Sequence, residues 1–444
     1  MKIALIVPYN SITSEKKHAE YELEELWEFQ ARKRLWSTPS LSLLTVAGMM
    51  PEDFELEYID LNYREDFEGQ YDWAFFSPST SQAYKAYEIA DSLRKDGIKV
   101  AMGGVHASML HAEALKHSDV VFIGESEETI PVFLEDVRRG KHKSIYKAEG
   151  LPDLRLSSVP RYDLAAGYPY KSFPIQTTRG CPHQCNFCVS SKIYGKKIRR
   201  KSIEQVGKEL EAILKIKDKP FVFFTDDNLF VNEEYSRELV GLLKRVNLRW
   251  YAFTDASIYK RKELLKEIRK AGCTQLLIGF ESLDLDNLGD INKSQWKRKN
   301  LEQFKHIISE IQGQGIGVVG SFVLGLENDT LDTFDRLYEF IQETCLYATN
   351  ITVLTPFPGT EIYERLKREG RITVADWSKY NGFELTFETK NMKREEFEAG
   401  WQKFMQQLNS PERLNKVITF FKGIINAKYE NEKHQGRGVV IWRM

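Results

Sequence analysis

Short β-branched or aromatic runs alternate with amphipathic helical stretches along most of this chain, in two passes separated by a break. Few architectures accept that pattern. Neighbouring parallel strands need long crossover connections, so alternation of this kind predicts parallel sheets covered by helices. In the first pass the strand candidates are 2–8, 54–60, 72–77, 99–102 and 119–123, with helical patterns from Gln82 to Lys95 and from Glu127 to Arg139. They predict a five-stranded, doubly wound, flavodoxin-like α/β domain over 1–140, of a type that binds ligands at the carboxyl ends of its strands. Residues 10–37 are charged, helical in pattern, and read as an insertion after the first strand. A basic, turn-rich stretch with Pro152 and Pro160 follows, and 141–171 reads as a linker. In the second pass the strand candidates are 173–178, 220–226, 249–255, 274–280, 317–324 and 350–356, with helices expected over 203–216, 233–246 and 332–344. These strands are too few for a closed eight-stranded barrel and predict a partial (β/α)6 barrel over 172–370, followed by a mainly helical C-terminal extension over 371–444.

Charge and length exclude several classes. Lys+Arg (63) and Asp+Glu (64) cancel, so no overall basic field argues for nucleic acid as a partner. No apolar run approaches the ~20 residues of a membrane span, and none is expected. The opening MKIALIVPYN meets polar residues too soon for the core of a secretory signal. A cytoplasmic protein is expected.

Five cysteines in 444 residues do not form a disulfide framework, but Cys181, Cys185 and Cys188 fall within eight residues. They follow the first strand of the second pass, where barrel enzymes place their chemistry. Three thiolates on one loop suit an iron–sulfur cubane with one iron left open. A structural zinc site with His183 or a distant fourth ligand is the alternative, although no second ligand couple accompanies the first. Cys273 and Cys345 stand alone in apolar surroundings and read as core.

The spacing C-x3-C-x2-C with Phe187 before the last cysteine, on the first loop of a partial barrel, resembles the radical S-adenosylmethionine (SAM) superfamily across 172–380. The resemblance implies a [4Fe–4S] cluster on Cys181, Cys185 and Cys188. It implies that the open iron chelates SAM and that an electron from the reduced cluster yields methionine and a 5′-deoxyadenosyl radical. An external one-electron reductant such as flavodoxin or ferredoxin is then needed. Thr225-Asp226-Asp227-Asn228 stands where many members carry Gly-Gly-Glu for the SAM amino group, so Asp226 and Asp227 are candidates for that contact or for a helix N-cap. Glu281 and Ser282, in Gly279-Phe280-Glu281-Ser282, match the element placed near the ribose and methionine. Ser321 lies on a strand similar to the one that approaches adenine. Phe187 is placed near cluster and adenine, or is plain packing. Pro356-Phe357-Pro358-Gly359-Thr360 matches the family's P-x-P-G-T turn.

The first domain resembles the cobalamin-binding domain that precedes the radical core in one subgroup. The segments that carry this are Ser79-Thr80-Ser81, Gly103-Gly104-Val105-His106 and Gly124-Glu125-Ser126-Glu127, each after a strand, together with Asp376-Trp377-Ser378-Lys379-Tyr380 beyond the barrel. Ser79, Thr80, Ser81, Gly103, Gly104, His106, Gly124 and Glu125 are the cobalamin candidates by that resemblance. His106 either faces the corrin or caps the following helix. The Asp-x-His-x-x-Gly element that supplies an axial histidine elsewhere is missing; the nearest stretch is Asp60 to Glu65. A scaffold that has lost its cofactor is the other reading.

The resemblance implies a cobalamin-dependent methyltransferase acting on an unactivated carbon of a small molecule or lipid. A radical cyclase, dehydrogenase or rearrangement enzyme without methyl transfer is the alternative, and an iron–sulfur electron carrier or sensor the third. The methylthio-adding branch is disfavoured, because residues 1–170 contain no cysteine. No catalytic acid or base is identifiable. Trp401, Phe404, Phe420 and Phe421 either line an apolar substrate pocket or belong to the core.

Overall fold

The computed structural model describes residues 1–9, 37–64 and 69–434, with side chains to Ala427. All but one residue of the expected insertion, namely 10–36, thus lies outside the described residues. The first sheet is wholly parallel. Its strands are β1 (Lys2–Val7), β2 (Glu55–Asp60), β3 (Trp73–Phe76), β4 (Lys99–Met102), β5 (Val120–Ile123) and β6 (Ile145–Lys147), in the order β2-β1-β3-β4-β5-β6. The five expected strands are all present in flavodoxin-like order. Ile145–Lys147 adds a sixth strand, inside the stretch read as linker, paired to β5 at the sheet edge.

The sheet is buried on both faces, which is why its strands read as unbroken apolar runs. Ile3, Leu5, Trp73 and Phe75 face one cluster, which continues into the second half of the chain. Ala4, Ile6, Ala74 and Phe76 face another, closed by helix Ala83–Lys95 and, from beyond the barrel, by Trp377 and Tyr380.

The second sheet is also parallel. It comprises β7 (Phe173–Ile175), β10 (Phe221–Phe224), β11 (Arg249–Thr254), β12 (Cys273–Glu281), β13 (Gly317–Leu324) and β14 (Ala348–Val353), in sequential order. Between β7 and β10 lies a two-residue antiparallel ribbon, β8 (Thr178–Arg179) with β9 (Arg199–Arg200). Crossover helices include Ile203–Ile216 and Glu233–Val246. Ser202 and Asn232 cap them by accepting the Gln205 and Tyr235 N–H groups. Sequential neighbours joined by helices form the open barrel that the pattern predicts.

Helices Arg394–Leu408 and Pro411–His434 follow. Phe404 and Phe421 are buried, Trp401 packs half-buried against the core, and Gly400 lies against the Phe334 ring. Those aromatics are core; Phe420 alone of the four is exposed. Cys273 is fully buried, whereas Cys345 is half-buried at a left-handed helix end. Among the described residues no helix is long and apolar enough to cross a membrane.

The carboxyl ends of the two sheets face one another. Met109, at the end of helix Gly104–Met109, touches the turn after β14 so closely that a Cβ at Gly359 would lie 2.5 Å from its sulfur. A second contact involves the cysteine loop itself.

Candidate active site

The three cysteines lie on the long loop between β8 and β9, and the ribbon forms its neck. Gly180 enters the loop with φ of +100°, and a Cβ there would stand 2.4 Å from the Lys197 carbonyl oxygen. Only glycine suits both the angle and the approach. The Cys181 N–H donates to Gly195 O at 3.2 Å and the Cys188 N–H to Cys185 O at 3.1 Å. Across the loop, the Asn186 N–H donates to Ile291 O and Asn292 Nδ2 lies 3.4 Å from Cys185 Sγ.

Burial pushes all three thiols up, Cys181 to about 11 and Cys185 to about 12; the charge Cys188 would carry pushes Cys181 and Cys185 further, and Asp227 does the same to Cys181 and Cys188. The free thiols are therefore protonated at neutral pH and need a strongly electropositive partner to become thiolates. A cubane takes each thiolate on a separate iron, and three soft thiols on one loop, with no second ligand couple beside them in sequence, fit that group.

The two adjacent aspartates after β10 have separate tasks. Asp226 is fully buried and accepts from the backbone N–H and hydroxyl of Thr177 (3.1 and 2.7 Å) and the backbone and hydroxyl of Thr178. Its carboxylate, 0% exposed, holds the segment that leads into the loop, four of the five bonds falling on Oδ1. Asp227 differs. Its Oδ2 is buried with no partner, burial raises its pKa, and its charge acts on Cys181 and Cys188. An orphaned buried carboxylate oxygen is costly unless a cation or donor arrives.

Glu281 ends β12 with φ of +71°, a conformation rare outside glycine, at a register shift between β12 and β13. Its side chain folds over Gly279, where a Cβ would lie 2.2 Å from Oε1, and meets Lys297 Nζ at 2.7 Å. Strained residues of this kind collect at functional sites. Burial alone would lower the Lys297 pKa, but the Glu281 carboxylate outweighs it and holds the ammonium charged. Ser282 is buried and accepts the Asp284 N–H. Ser321, opposite Gly279 in register, accepts from Asn350 Nδ2 at 3.1 Å. Phe187 is half-buried and packs against the core.

Sequence reading missed Lys297 and a second polar group. Asp255 follows β11 and accepts from Asn228 Nδ2 (2.6 Å), Ser257 N–H (2.8 Å) and His183 Nε2 (3.4 Å). Burial would raise its pKa, but these hydrogen bonds prevail and hold it below the usual carboxylate range. An Asp three residues past a predicted strand's centre was the available signal. Lys297 offered none, because only the fold brings 292–299 to Cys185.

The candidates on the first sheet are dispersed. Ser79 is exposed and caps a short turn with Gln82, whose Nε2 donates to Pro8 O; Thr80 is buried and Ser81 half-buried. Gly104 and Gly124 both take φ of +83°, and at Gly104 a Cβ would strike Ser77 Oγ at 2.5 Å; Gly103 is extended. These segments stand at the strand ends, as the resemblance requires. Two candidates do not face the space there. His106 is 1% exposed and turns into the core, 3.1 Å from Tyr87 Oη and 5.7 Å from the Trp377 ring, because the helix that carries it packs that face inward. It caps nothing. Glu125 is committed to arginines of the β8–β9 ribbon: Arg179 Nη1 at 2.6 Å and Arg199 Nη2 at 2.5 Å, while Glu127 takes Arg179 at 2.7 Å. Arg179 and Arg199 are paired residues of the ribbon, so the first sheet grips the neck of the cysteine loop.

Comparison with known proteins agrees with this geometry. The radical SAM superfamily model matches residues 175–341, and a domain of unknown function (DUF4070) matches 360–443. Bacteriochlorophyllide d C-12(1)-methyltransferase of Chlorobaculum tepidum is 31% identical, over 83% of this chain and 82% of its own. Hopanoid C-2 methylase of Rhodopseudomonas palustris is 28% identical, over 85% of this chain and 72% of its own. Among solved structures, the fold is shared with OxsB bearing aqua-cobalamin and SAM (TM-score 0.67, 14% identity, 95% of this chain and 70% of that one). It is shared too with the methyltransferase TsrM of Kitasatospora setae bearing cobalamin and a [4Fe–4S] cluster (TM-score 0.61, 15% identity, 83% and 78%). With a relative this similar over most of both chains and a thiol loop fit for a cubane, the chain belongs to the radical SAM superfamily.

Proposed function

We propose that this protein is a cobalamin-dependent radical SAM methyltransferase that methylates an unactivated carbon of a hydrophobic small molecule or lipid. The observation that carries the reading is the opposition of two strand-end surfaces: the cysteine loop lies on one and the Gly103–Gly104 and Gly124 turns on the other, so two cofactors and a substrate can share one space. The names of the relatives point the same way, methyltransferases of a bacteriochlorophyllide and of hopanoids. The division into 1–140, 141–171, 172–370 and 371–444 is proposed with one change, the edge strand Ile145–Lys147 going with the first domain.

When bound, the cluster and SAM supply a 5′-deoxyadenosyl radical and the corrinoid carries the methyl group. Cys181, Cys185 and Cys188 hold the cluster. Asp227, through its orphaned oxygen, would receive the SAM ammonium; Lys297, kept charged by Glu281, would face the carboxylate; Glu281, Ser282 and Ser321 would accept from the ribose or approach the adenine, with Phe187 packed beside them. Asp226 keeps the loop's entry fixed. The backbone of Gly103, Gly104 and Gly124, with Ser79, Thr80 and Ser81, would hold the corrin. A cytoplasmic location, where thiols stay reduced, and an external one-electron donor for the cluster belong to the same proposal.

Anaerobic reconstitution with iron, sulfide and hydroxocobalamin, followed by desalting, tests this. Near-stoichiometric corrinoid per chain, and S-adenosylhomocysteine release with a substrate, are expected. An intact cluster without retained corrinoid would refute methyl transfer and favour the cyclase-type chemistry named in relatives such as anaerobic magnesium-protoporphyrin IX monomethyl ester cyclase.

A further inference from the structure

The chain is electrically balanced, yet the charge around the cysteine loop is not. No Asp or Glu occurs from Leu164 through Ile203, while Lys192, Lys196, Lys197, Arg199, Arg200 and Lys201 crowd its second half. Arg199 and Lys201 are buried and paired, with Glu125 and Glu209. The loop's exposed side chains between Cys181 and Ile198 are Pro182 and three lysines, Lys192, Lys196 and Lys197. Lys192 shares a single carboxylate, Glu361, with the exposed Lys293 of the neighbouring segment, at 3.6 and 3.3 Å. Lys196 and Lys197 have no carboxylate partner among the described residues. Their backbone runs directly beside the ligands: Cys181 donates to Gly195 O, and Gly180 lies against Lys197 O.

An uncompensated cationic surface one backbone layer outside the cluster has a physical use. The remaining cysteines, Cys273 and Cys345, sit in core and at a helix end and supply no second thiol-held cluster. We infer that Lys192, Lys196, Lys197 and Lys293 form the docking surface for a small acidic electron-transfer protein. The inference rests on the function proposed above. In the docked complex one electron leaves the donor's reduced flavin or iron–sulfur centre and enters the cluster held by the loop; the donor is oxidised by one electron. Complementary charge raises the encounter rate and makes it salt-dependent. A polyanion such as nucleic acid is disfavoured by the small extent of the patch and by the balanced charge elsewhere.

The test uses the reconstituted holoprotein with SAM and compares 5′-deoxyadenosine formation driven by reduced flavodoxin, by reduced ferredoxin and by dithionite. With at least one protein donor, K196E/K197E should lose about tenfold in rate while dithionite supports it within about twofold, and the wild-type rate should fall steeply as NaCl rises. Protein-driven rates unaffected by the charge reversal or by salt would overturn the surface while leaving the function standing. So would lysine-dependent binding of duplex DNA with donor-driven rates retained. Failure of dithionite to drive SAM cleavage in wild type would strike the function itself, and the surface with it.

Discussion

Replacing Glu125 tests whether the first sheet holds the cysteine loop. The Glu125 side chain is 2% exposed and receives both terminal nitrogens of Arg199 and one of Arg179. Without it Arg179 keeps Glu127, but Arg199 keeps only carbonyl oxygens, those of Pro152 and Tyr194. Stranding a buried charge typically costs about 3–5 kcal/mol, so Glu125→Ala should cost that much. Glu125→Gln retains shape and one acceptor and should cost about 1–3 kcal/mol. Arg199→Gln alone strands Glu125 only partly, since Arg179 remains. The double variant E125Q/R199Q should therefore be less destabilised than the sum of the singles by about 1–3 kcal/mol. Urea unfolding midpoints, at low salt and in 1 M NaCl, measure this. The coupling should survive salt because the network is buried, whereas exposed Glu135–Arg139 is subject to screening. Iron release to a chelator should quicken in E125Q, since Arg199 is half of the loop's neck. Additivity within about 0.5 kcal/mol would refute the clamp.

Other consequences are more local. Gly180→Ala should cost at least about 1–3 kcal/mol in backbone strain and prevent stable cluster assembly, read from iron content per chain, because its Cβ has nowhere to go. Asp227→Asn should leave iron content unchanged but raise the KM for SAM, whereas Asp226→Asn should lower iron retention first; equal effects of the two would contradict their separate tasks. Asp329, which accepts the Gly325 and Leu326 N–H groups, is pushed up to about 6 by burial against those hydrogen bonds. The native state then holds its proton more tightly than the unfolded chain, so its contribution is greatest below pH ~4 and is lost as pH rises to ~6, on the order of 3 kcal/mol at most. The difference in unfolding midpoint between wild type and D329N should change across that window and stay flat above pH 7.

Much of the architecture was legible because parallel strands buried on both faces leave continuous apolar runs, as in Ile3–Ile6 and Trp73–Phe76. Helices Ile203–Ile216 and Glu233–Val246 were legible to the residue, since Ser202 and Asn232 mark their starts and Asn247 the second one's end. Ile145–Lys147 escaped notice because a three-residue edge strand with one buried side chain has no periodicity to read. The ribbon of β8 and β9 is shorter still. The cysteines and Asp227 were readable as chemistry on loops after strands. Asp226 was not separable from Asp227, because which of two adjacent carboxylates turns inward depends on Thr177 and Thr178, nearly fifty residues away in sequence. For the same reason Glu125 read as a ligand for a corrin: its arginines lie 54 and 74 positions further along. His106 read as a cap or a ligand because a single histidine carries no record of the Trp377 that covers it.

The distribution of buried carboxylates separates holding from binding. Glu125 and Glu127 are matched by Arg179 and Arg199, and Asp226 by two threonines. Each pair or cage compensates its own desolvation and fixes one side of the loop, so these groups gain little from a cofactor. Asp227 differs: one oxygen is buried without a partner, as Glu209 Oε2 is too, but Glu209 keeps Lys201, whereas Asp227 lies beside the thiols with no ion pair among the described residues. A fold optimised for stability alone would hydrate or pair that oxygen, and its cost is offset only when a cation arrives. The stabilisation conferred by SAM on the cluster-loaded protein should therefore shrink in D227N more than in any variant of the matched carboxylates. Thermal midpoints with and without SAM would decide the matter, because a paired carboxylate can lower the baseline but cannot alter the increment.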